Sequence, residues 1–176
     1  MRPDLPLQPI MKSIARILFL IIGVVFLTVA STQEVVKADL VRVVKSKSRL
    51  YLEKDGEVFA SYRATFGAQP KGHKQQEGDE RTPEGKYYLT YKNANSAFYL
   101  SIAVSYPNDE DRESARKRGV SPGGDIMVHG QPNGYAWISP VSRFFNWTDG
   151  CIGLSNKDMD KVWEYVDPGI PIIIEP

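Results

Sequence analysis

An unbroken apolar run at 17–30, ILFLIIGVVFLTVA, divides this chain into a short N-terminal segment and a longer remainder. Lys12 and Arg16 precede the run and small residues end it, which is the layout of a secretory signal cleaved after Ala30. The alternative is an uncleaved membrane anchor, although the run is shorter than the roughly 20 apolar residues of a spanning helix. In either case we expect residues 31–176 to form one exported domain, in the periplasm or cell envelope.

The charge balance of the chain excludes one class of partner. Its 22 basic and 21 acidic residues leave a formal net charge of +1. A chain without a strong basic field has no electrostatic attraction for a polyanion. We therefore expect no nucleic-acid partner, and membrane contact only if the apolar run is uncleaved.

Strand-like segments dominate the domain. They lie at 38–46, 49–67, 87–93 and 98–106. The second segment contains Lys54-Asp55-Gly56, and Asp-Gly accepts the positive φ angles that a tight hairpin turn needs. Residues 68–86 are rich in Gly, Pro and charge without periodicity, which predicts a long surface loop of the functional or mobile kind.

Two helices complete the predicted fold. Asn108 can cap the segment 108–119, whose first turn is acidic and whose last turn is basic, before Gly119 ends it. Ser155 and Asp158 resemble a capping box at the start of a second helix. The apolar positions of that helix recur at i, i+3, i+4 and i+7: Met159, Val162, Trp163 and Val166. The sequence predicts a mostly β domain with two short helices, of the α+β class.

The only cysteine, Cys151, lies in the stretch WTDGCIGL at 147–154. A single cysteine cannot form an internal disulfide in an oxidising compartment. The thiol therefore forms an intermolecular bond, is a reactive group, or is a small buried hydrophobe. Gly150 allows a tight turn in which successive amides point at one spot, as in a backbone oxyanion hole. Thr148 and Asp149 add side-chain oxygens that either brace this turn or orient a histidine.

The two histidines differ in their setting. His73 lies in the charged loop, where a solvated histidine is the default interpretation. His129 ends the apolar strand DIMV, before Gly130, and is either a core histidine bonded to backbone or a base that faces a cleft. A cysteine nucleophile needs such a base. The combination of His129 with Cys151 favours an acyl-transfer enzyme.

Other chemistries lack their residues. A zinc site needs three or four Cys, His or carboxylate ligands, and one Cys with one strand-terminal His does not supply them. No Gly-x-Ser-x-Gly elbow supports serine hydrolysis. No pair of carboxylates stands out for glycosidase chemistry.

The motifs around His129 and Cys151 resemble those of the L,D-transpeptidase catalytic-domain family (YkuD type) of bacterial cell-wall enzymes. That family has His-Gly, a spacer, then Ser/Thr-x-Gly-Cys, which is matched here by His129-Gly130 and by Thr148-Asp149-Gly150-Cys151. The segment GDERTPEGKYYL at 78–89 resembles a further family segment. The blocks SYPN and SPGG, within 105–124, resemble the murein-processing (YafK-like) branch. The resemblance covers residues 38–176.

The resemblance implies a β-sandwich catalytic domain that acts on peptidoglycan tetrapeptide stems. Cys151 is then the nucleophile, His129 the base, and the amides of Gly150 and Cys151 the oxyanion hole. A thioester at the third, diamino residue passes to an amine of another stem and gives a 3–3 cross-link. No metal or organic cofactor is implied. With water as acceptor, the enzyme is instead an L,D-carboxypeptidase, or an amidase that releases a wall-attached lipoprotein. A non-catalytic wall-binding domain is the alternative of another class.

This sequence departs from the family at two positions. Many members have histidine where this chain has Asp149, and most have arginine where it has Gly153. A guanidinium is a natural clamp for a carboxylate, so its loss leaves the substrate grip open. Candidate replacements are Arg63, Arg81 and Arg143. Other candidate substrate-binding residues are Gly130, Tyr106 and Trp147, and Tyr135, Trp137 and Trp147 either line the cleft or pack ordinarily.

Overall fold

The computed structural model describes residues 35–176, apart from 136, 138 and 143. The predicted signal or anchor at 1–30 lies outside these residues, as does Arg143. Within the described part, no helix is long and apolar enough to cross a membrane.

Eight strands form one sheet. They are β1 (Leu40–Val44), β2 (Arg49–Lys54), β3 (Glu57–Arg63), β4 (Gly85–Ser96), β5 (Tyr99–Val104), β6 (Met127–His129), β7 (Ile152–Gly153) and β8 (Pro171–Glu175). Their order is β3-β2-β1-β8-β4-β5-β6-β7. Most neighbours are antiparallel, but β1 pairs in parallel with β8 and β6 in parallel with β7. The long β4 joins two halves of the sheet, β3-β2-β1-β8 and β5-β6-β7. It pairs with β8 on one side and with β5 on the other.

The two ends of this sheet meet beyond β3. Thr65 bridges Gly153 in the antiparallel sense and Gly67 bridges Thr148 in the parallel sense. Buried side chains from both halves form one core, which includes Val41, Leu52, Ile102, Val128 and Ile152. The two halves therefore pack as the layers of one domain, as the predicted β-sandwich requires.

The predicted hairpin and both predicted helices are confirmed. Asp55 and Gly56 have φ values of 53° and 83° at the turn between β2 and β3. Helix α1 (Asp109–Arg118) has Asn108 at its N-cap in a complete capping box, and Gly119 closes it in the left-handed conformation. A four-residue helix, α2 (Ser139–Ser142), was not predicted, because it is shorter than one apolar period. Helix α3 (Asn156–Tyr165) follows Ser155 and buries Met159 and Val162 against the core.

Charged side chains with buried partners fix the segment 68–86. Lys45 Nζ lies 2.6 Å from Glu84 Oε1, and Lys74 Nζ lies 2.9 Å from Asp79 Oδ1. Both lysines are buried. Lys45 also donates to the backbone carbonyls of Gly72 and Thr82, so it ties the loop to the residue after β1. The Lys74–Asp79 pair lies within the loop and fixes its shape.

The interpretation of His73 as a solvated histidine is wrong. Its Nε2 lies 3.0 Å from Asp111 Oδ1, and its Nδ1 accepts the backbone N–H of Glu84 at 3.0 Å. Asp111 is 8% exposed and also accepts the hydroxyl of Tyr87 at 3.0 Å. Burial opposes the ionisation of Asp111, but hydrogen bonds from His73, from the backbone of Asn108 and from Tyr87 outweigh it and lower the pKa. Sequence reasoning could not find this contact, because 38 residues separate its two partners.

We predict that Asp111→Asn destabilises the domain. The amide cannot accept all the donors that converge on the carboxylate, and a lost bond to a buried charged group costs about 1.5–3 kcal/mol. Urea unfolding measures the change in the free energy of unfolding. Asp109→Asn is the matched control, since Asp109 is fully exposed at the start of the same helix and its loss costs roughly 0.5 kcal/mol. Equal losses in the two variants would contradict the role given to Asp111.

Candidate active site

The parallel pairing of β6 with β7 brings His129 and Cys151 together. His129 is in register with Gly153 and Val128 with Ile152, and Cys151 immediately precedes β7. Both residues line a cleft of about 510 Å³. The hairpin of β4 and β5 supplies one wall of it, through Asn93, Asn95, Ser96, Ala97, Phe98 and Ser101. The structure thus places the predicted nucleophile and the predicted base on one surface, 22 residues apart in the chain.

The tautomer of His129 follows from its hydrogen bond. Nδ1 lies 2.6 Å from the carbonyl oxygen of Gly130, which can only accept, so Nδ1 carries the proton and Nε2 has a free lone pair. The ring packs between Phe98, at 4.6 Å between centroids, and Trp147, at 5.8 Å. Burial lowers the pKa of His129, against the hydrogen bond to Gly130. The imidazole is therefore neutral at neutral pH and able to take up a proton at Nε2.

The thiol of Cys151 is also neutral in the resting site. It donates to the carbonyl of Asp125 and accepts the backbone N–H of Met127, both at 3.4 Å. Burial raises the pKa of this thiol and the carboxylates of Asp149 and Asp125 raise it further, while the Met127 N–H and Lys74 act in the opposite direction. Among the described residues, no hydrogen bond joins the thiol to His129. The resting pair is thus thiol and imidazole, not thiolate and imidazolium.

Thr148 braces the turn before Cys151. Its hydroxyl donates to the carbonyl of Cys151 at 2.7 Å and accepts the N–H of Gly150 at 3.2 Å. The amide of Gly150 is thereby engaged, which corrects its expected place in the oxyanion hole. The amide of Cys151 has no hydrogen-bond partner in the described part of the chain. It is the donor of this turn that remains available to an oxyanion.

Gly150 is required by space and by conformation. Its φ of 133° is one that L side chains rarely adopt, and a Cβ there would lie 2.6 Å from the carbonyl oxygen of Arg81. The loop 68–86 thus packs directly against the nucleophile turn. The segment GDERTPEGKYYL, which contains Arg81, therefore packs behind the nucleophile turn, a role that the motif itself does not indicate.

Three of the predicted substrate-binding residues do not line the cleft. Gly130 is buried and a Cβ on it would lie 2.7 Å from Asn156 Oδ1, so it serves close packing. Tyr106 belongs to the core, where its hydroxyl donates to the carbonyl of Pro122 at 2.8 Å. Arg81 contributes its backbone to the wall behind Gly150, and its guanidinium lies near Gly72. The short-range pattern could not separate these roles from contact with a ligand.

Asp149 and Trp147 do line the cleft. The Asp149 side chain is exposed, and among the described residues no hydrogen bond joins it to His129. Trp147 stacks on Phe98 and its buried Nε1 has no hydrogen-bond partner among the described residues. It also lines a neighbouring apolar hollow of about 690 Å³, together with Trp137 and Phe145. Tyr135 is exposed and lines neither space.

Arg63 and Arg81, two of the predicted replacements for the family arginine at position 153, do not line the cleft. Arg143, the third, lies outside the described residues. A Cβ on Gly153 would lie 2.7 Å from Thr65 Oγ1, so the sheet closure leaves no room for a side chain. The guanidinium of Arg63 lies 4.7 Å from the centre of the Phe144 ring. Of the described residues that line the cleft, none is Lys or Arg, and two are carboxylates, Asp125 and Asp149. No group of His, Cys, Asp and Glu side chains in the described part could hold a metal ion.

Sequence reasoning missed Phe98, Asp125 and Lys74. Phe98 packs on His129 from a hairpin tip that has no motif, and no sequence signal marks it. Asp125 lies two residues before β6, the strand that ends in His129. This closeness along the chain was a usable signal. Lys74 was hidden among the charges of the loop, where nothing in the sequence distinguishes a buried lysine from an exposed one.

We predict that Gly150→Ala lowers the free energy of unfolding by about 2 kcal/mol or more, because it forces both a strained φ and an overlap with the Arg81 carbonyl. Gly124→Ala is the matched control, since Gly124 lines the same cleft and a Cβ on it meets nothing within 4 Å. Its expected change is within about 0.5 kcal/mol. Denaturant unfolding of both variants measures the difference. A Gly150→Ala protein as stable as the control would disprove the packing of the loop on this turn.

Several solved structures of bacterial proteins share this fold. The solved structure of the helical cell shape determining protein Pgp2 from Campylobacter jejuni is 29% identical, with a TM-score of 0.58 over 77% of this chain and 46% of that one. Bd1075 from Bdellovibrio bacteriovorus, at 23% identity and a TM-score of 0.52, covers 82% of this chain and 49% of its own. An L,D-transpeptidase from Mycobacterium smegmatis, at 19% and 0.52, covers 78% and 58%. The latter two show the fold alone.

This chain spans about half the length of the first two structures it matches. No curated protein matches its sequence. The model of the L,D-transpeptidase catalytic domain (YkuD) matches residues 38–174, which is most of the chain and nearly all of the described domain. The chain therefore belongs to the L,D-transpeptidase catalytic-domain family.

Proposed function

We propose that this protein is a cysteine-dependent L,D-transpeptidase that acts on peptidoglycan tetrapeptide stems and forms 3–3 cross-links through a thioester on Cys151. The observation that carries the proposal is the arrangement of one thiol and one imidazole in one cleft. The imidazole has its Nε2 free and its Nδ1 fixed by the Gly130 carbonyl. Such a pair performs nucleophilic acyl transfer when the base takes the proton of the nucleophile.

In the first half-reaction, Nε2 of His129 takes the proton from the Cys151 thiol as sulfur attacks the carbonyl at the L-centre of the diamino residue. The carbonyl oxygen becomes an oxyanion, and the amide of Cys151 is the available donor for it. A single such donor is worth about 10²–10³ in rate. The C–N bond then breaks, and the imidazolium returns its proton to the amine of the departing D-alanine. The thioester remains.

In the second half-reaction, an amine of another stem attacks the thioester. His129 takes a proton from that amine and the thiolate leaves, so a new amide bond replaces the C–S bond. The imidazolium then reprotonates the sulfur. A neutral imidazole suits both halves because it acts as base first and as acid second.

An amidase is the second candidate, and the charge of the cleft favours it. Asp125 and Asp149 line the cleft without a Lys or Arg among its described residues. A leaving group that ends in a carboxylate is repelled there, whereas an amine or an amide is not. With water as acceptor, the same thioester gives an L,D-carboxypeptidase, or an amidase that releases a lipoprotein attached to the diamino residue. Membership of the murein-processing branch, suggested by the SYPN and SPGG blocks, is part of this proposal.

We propose export to the periplasm or cell envelope as well. The apolar run at 17–30 after Lys12 and Arg16 supports it, and peptidoglycan stems lie outside the cytoplasmic membrane. Sequencing the N-terminus of the protein recovered from cells distinguishes a chain cleaved after Ala30 from one that keeps the run as an anchor.

Incubation of the protein with a disaccharide-tetrapeptide tests the reaction. We expect a mass increase on Cys151 that corresponds to the tripeptide acyl group, with release of D-alanine and formation of cross-linked dimers. Cys151→Ser and His129→Ala should each lose about 10³-fold or more in kcat. Tripeptide without dimer supports hydrolysis instead of transfer. Full activity of Cys151→Ser would overturn the thiol mechanism.

The charge of the cleft predicts a preference between two leaving groups. A stem that ends in D-alaninamide should react about three- to tenfold faster, in kcat/KM, than one that ends in D-alanine, because repulsion by the two carboxylates of the cleft costs the acid about 1 kcal/mol. Asp149→Asn should reduce the ratio of the two kcat/KM values. Asp109→Asn, on the remote helix α1, should leave that ratio unchanged. A wild-type enzyme that prefers the acid would contradict this reading of the cleft.

A further inference from the structure

The loop 68–86 contains a buried lysine that takes no part in the proton transfers of the proposed reaction. Lys74 is 3% exposed, whereas Lys71, three residues earlier, is exposed. Its Nζ donates to Asp79 Oδ1 at 2.9 Å. A buried ammonium is costly unless it is paired, and even a paired one adds little net stability. The position of Lys74 therefore calls for an explanation beyond the folding of its loop.

Asp79 holds this ammonium and shapes the loop at the same time. Its carboxylate accepts the backbone N–H groups of Gln75 at 2.7 Å, Gln76 at 3.1 Å and Arg81 at 3.1 Å. Burial opposes ionisation of Asp79, but these bonds and the Lys74 ammonium outweigh it and lower the pKa. The ion pair is thus formed throughout the neutral range.

The loop that this pair organises lies against the nucleophile turn. The carbonyl oxygen of Arg81 is the atom that a Cβ on Gly150 would meet at 2.6 Å. The carbonyl oxygen of Glu80 would meet a Cβ on Gly67 at 2.0 Å. A short path of contacts thus runs from Lys74 through Asp79 and Arg81 to Gly150, next to Cys151.

The charges around the Cys151 thiol indicate how this chain of contacts affects its ionisation. Asp125 and Asp149 both disfavour a thiolate, and His129 is neutral in the resting site. Lys74 is the side-chain cation that acts on the thiol in the opposite sense. When His129 takes the proton, the sulfur becomes an anion beside two carboxylates, and a fixed positive charge near it lowers the energy of that state.

We propose that Lys74, anchored by Asp79, is a positioning residue for the reaction: it fixes the loop against the Gly150–Cys151 turn and supplies the positive field that stabilises the Cys151 thiolate. The inference rests on the proposed role of Cys151 as nucleophile. Its test does not need peptidoglycan, because iodoacetamide alkylates the thiolate directly and Cys151 is the only cysteine of the chain.

The experiment follows the rate of alkylation of the full chain across pH, with folding checked by urea unfolding. In Lys74→Gln we expect alkylation about three- to tenfold slower at pH 7.5, and the rates of the two proteins should converge at a pH high enough to ionise the thiol in both. Lys74→Arg keeps the charge and should restore the rate at pH 7.5. Lys71→Gln, on the exposed part of the loop, should match wild type throughout.

A second variant at the same position separates charge from structure. Lys74→Met removes the charge and keeps an unbranched side chain of similar length at this buried position. Its alkylation at pH 7.5 should also be about three- to tenfold slower than in wild type, and this variant decides the matter if Lys74→Gln does not fold. A folded Lys74→Gln with an unchanged rate, or with the same deficit at every pH, would overturn the proposal. If alkylation behaves as expected but no stem peptide is turned over, the proposed reaction fails and the role of Lys74 stands.

Discussion

Two backbone hydrogen bonds between Thr65 and Gly153, each 2.9 Å long, join the ends of the sheet. They tie the segment after β3 to β7, which is the last strand of the order, and β7 in turn lies in parallel beside β6. Cys151 leads into β7 and His129 ends β6. The candidate nucleophile and base therefore lie where two distant parts of the chain close the fold.

The same closure sets the charge of the cleft. A Cβ on Gly153 would lie 2.7 Å from Thr65 Oγ1, so the closure leaves no room for a side chain there. The cleft is left with Asp125 and Asp149 at its wall, and with its nearby cation, Lys74, buried behind the turn. Family membership follows from the fold and the motifs. In the proposed reaction, the choice of leaving group and acceptor depends on these few charges.

Local features of the fold could be predicted from the sequence because neighbours along the chain determine them. The Asp55-Gly56 turn, the Asn108 cap and the apolar stripe of α3 are of this kind. Long-range contacts could not be predicted. The partner of His73 lies 38 residues away, and the place of Tyr106 in the core depends on packing that no motif records. Residue chemistry and the family pattern identified His129 and Cys151. The hydrogen bond from the Gly150 amide to the Thr148 hydroxyl could not be predicted, because it depends on the conformation of the turn.

The resting protonation of Cys151 has a consequence for the life of the protein. Peroxides and small disulfides attack thiolates, and a thiol whose pKa is raised presents little thiolate to them. Many cysteine enzymes keep a standing ion pair and accept that vulnerability. In the proposed reaction, the anion forms chiefly when His129 takes the thiol proton during attack on a bound carbonyl. An unpaired cysteine placed in an oxidising compartment would thereby be protected from sulfenic acid and mixed disulfides between turnovers.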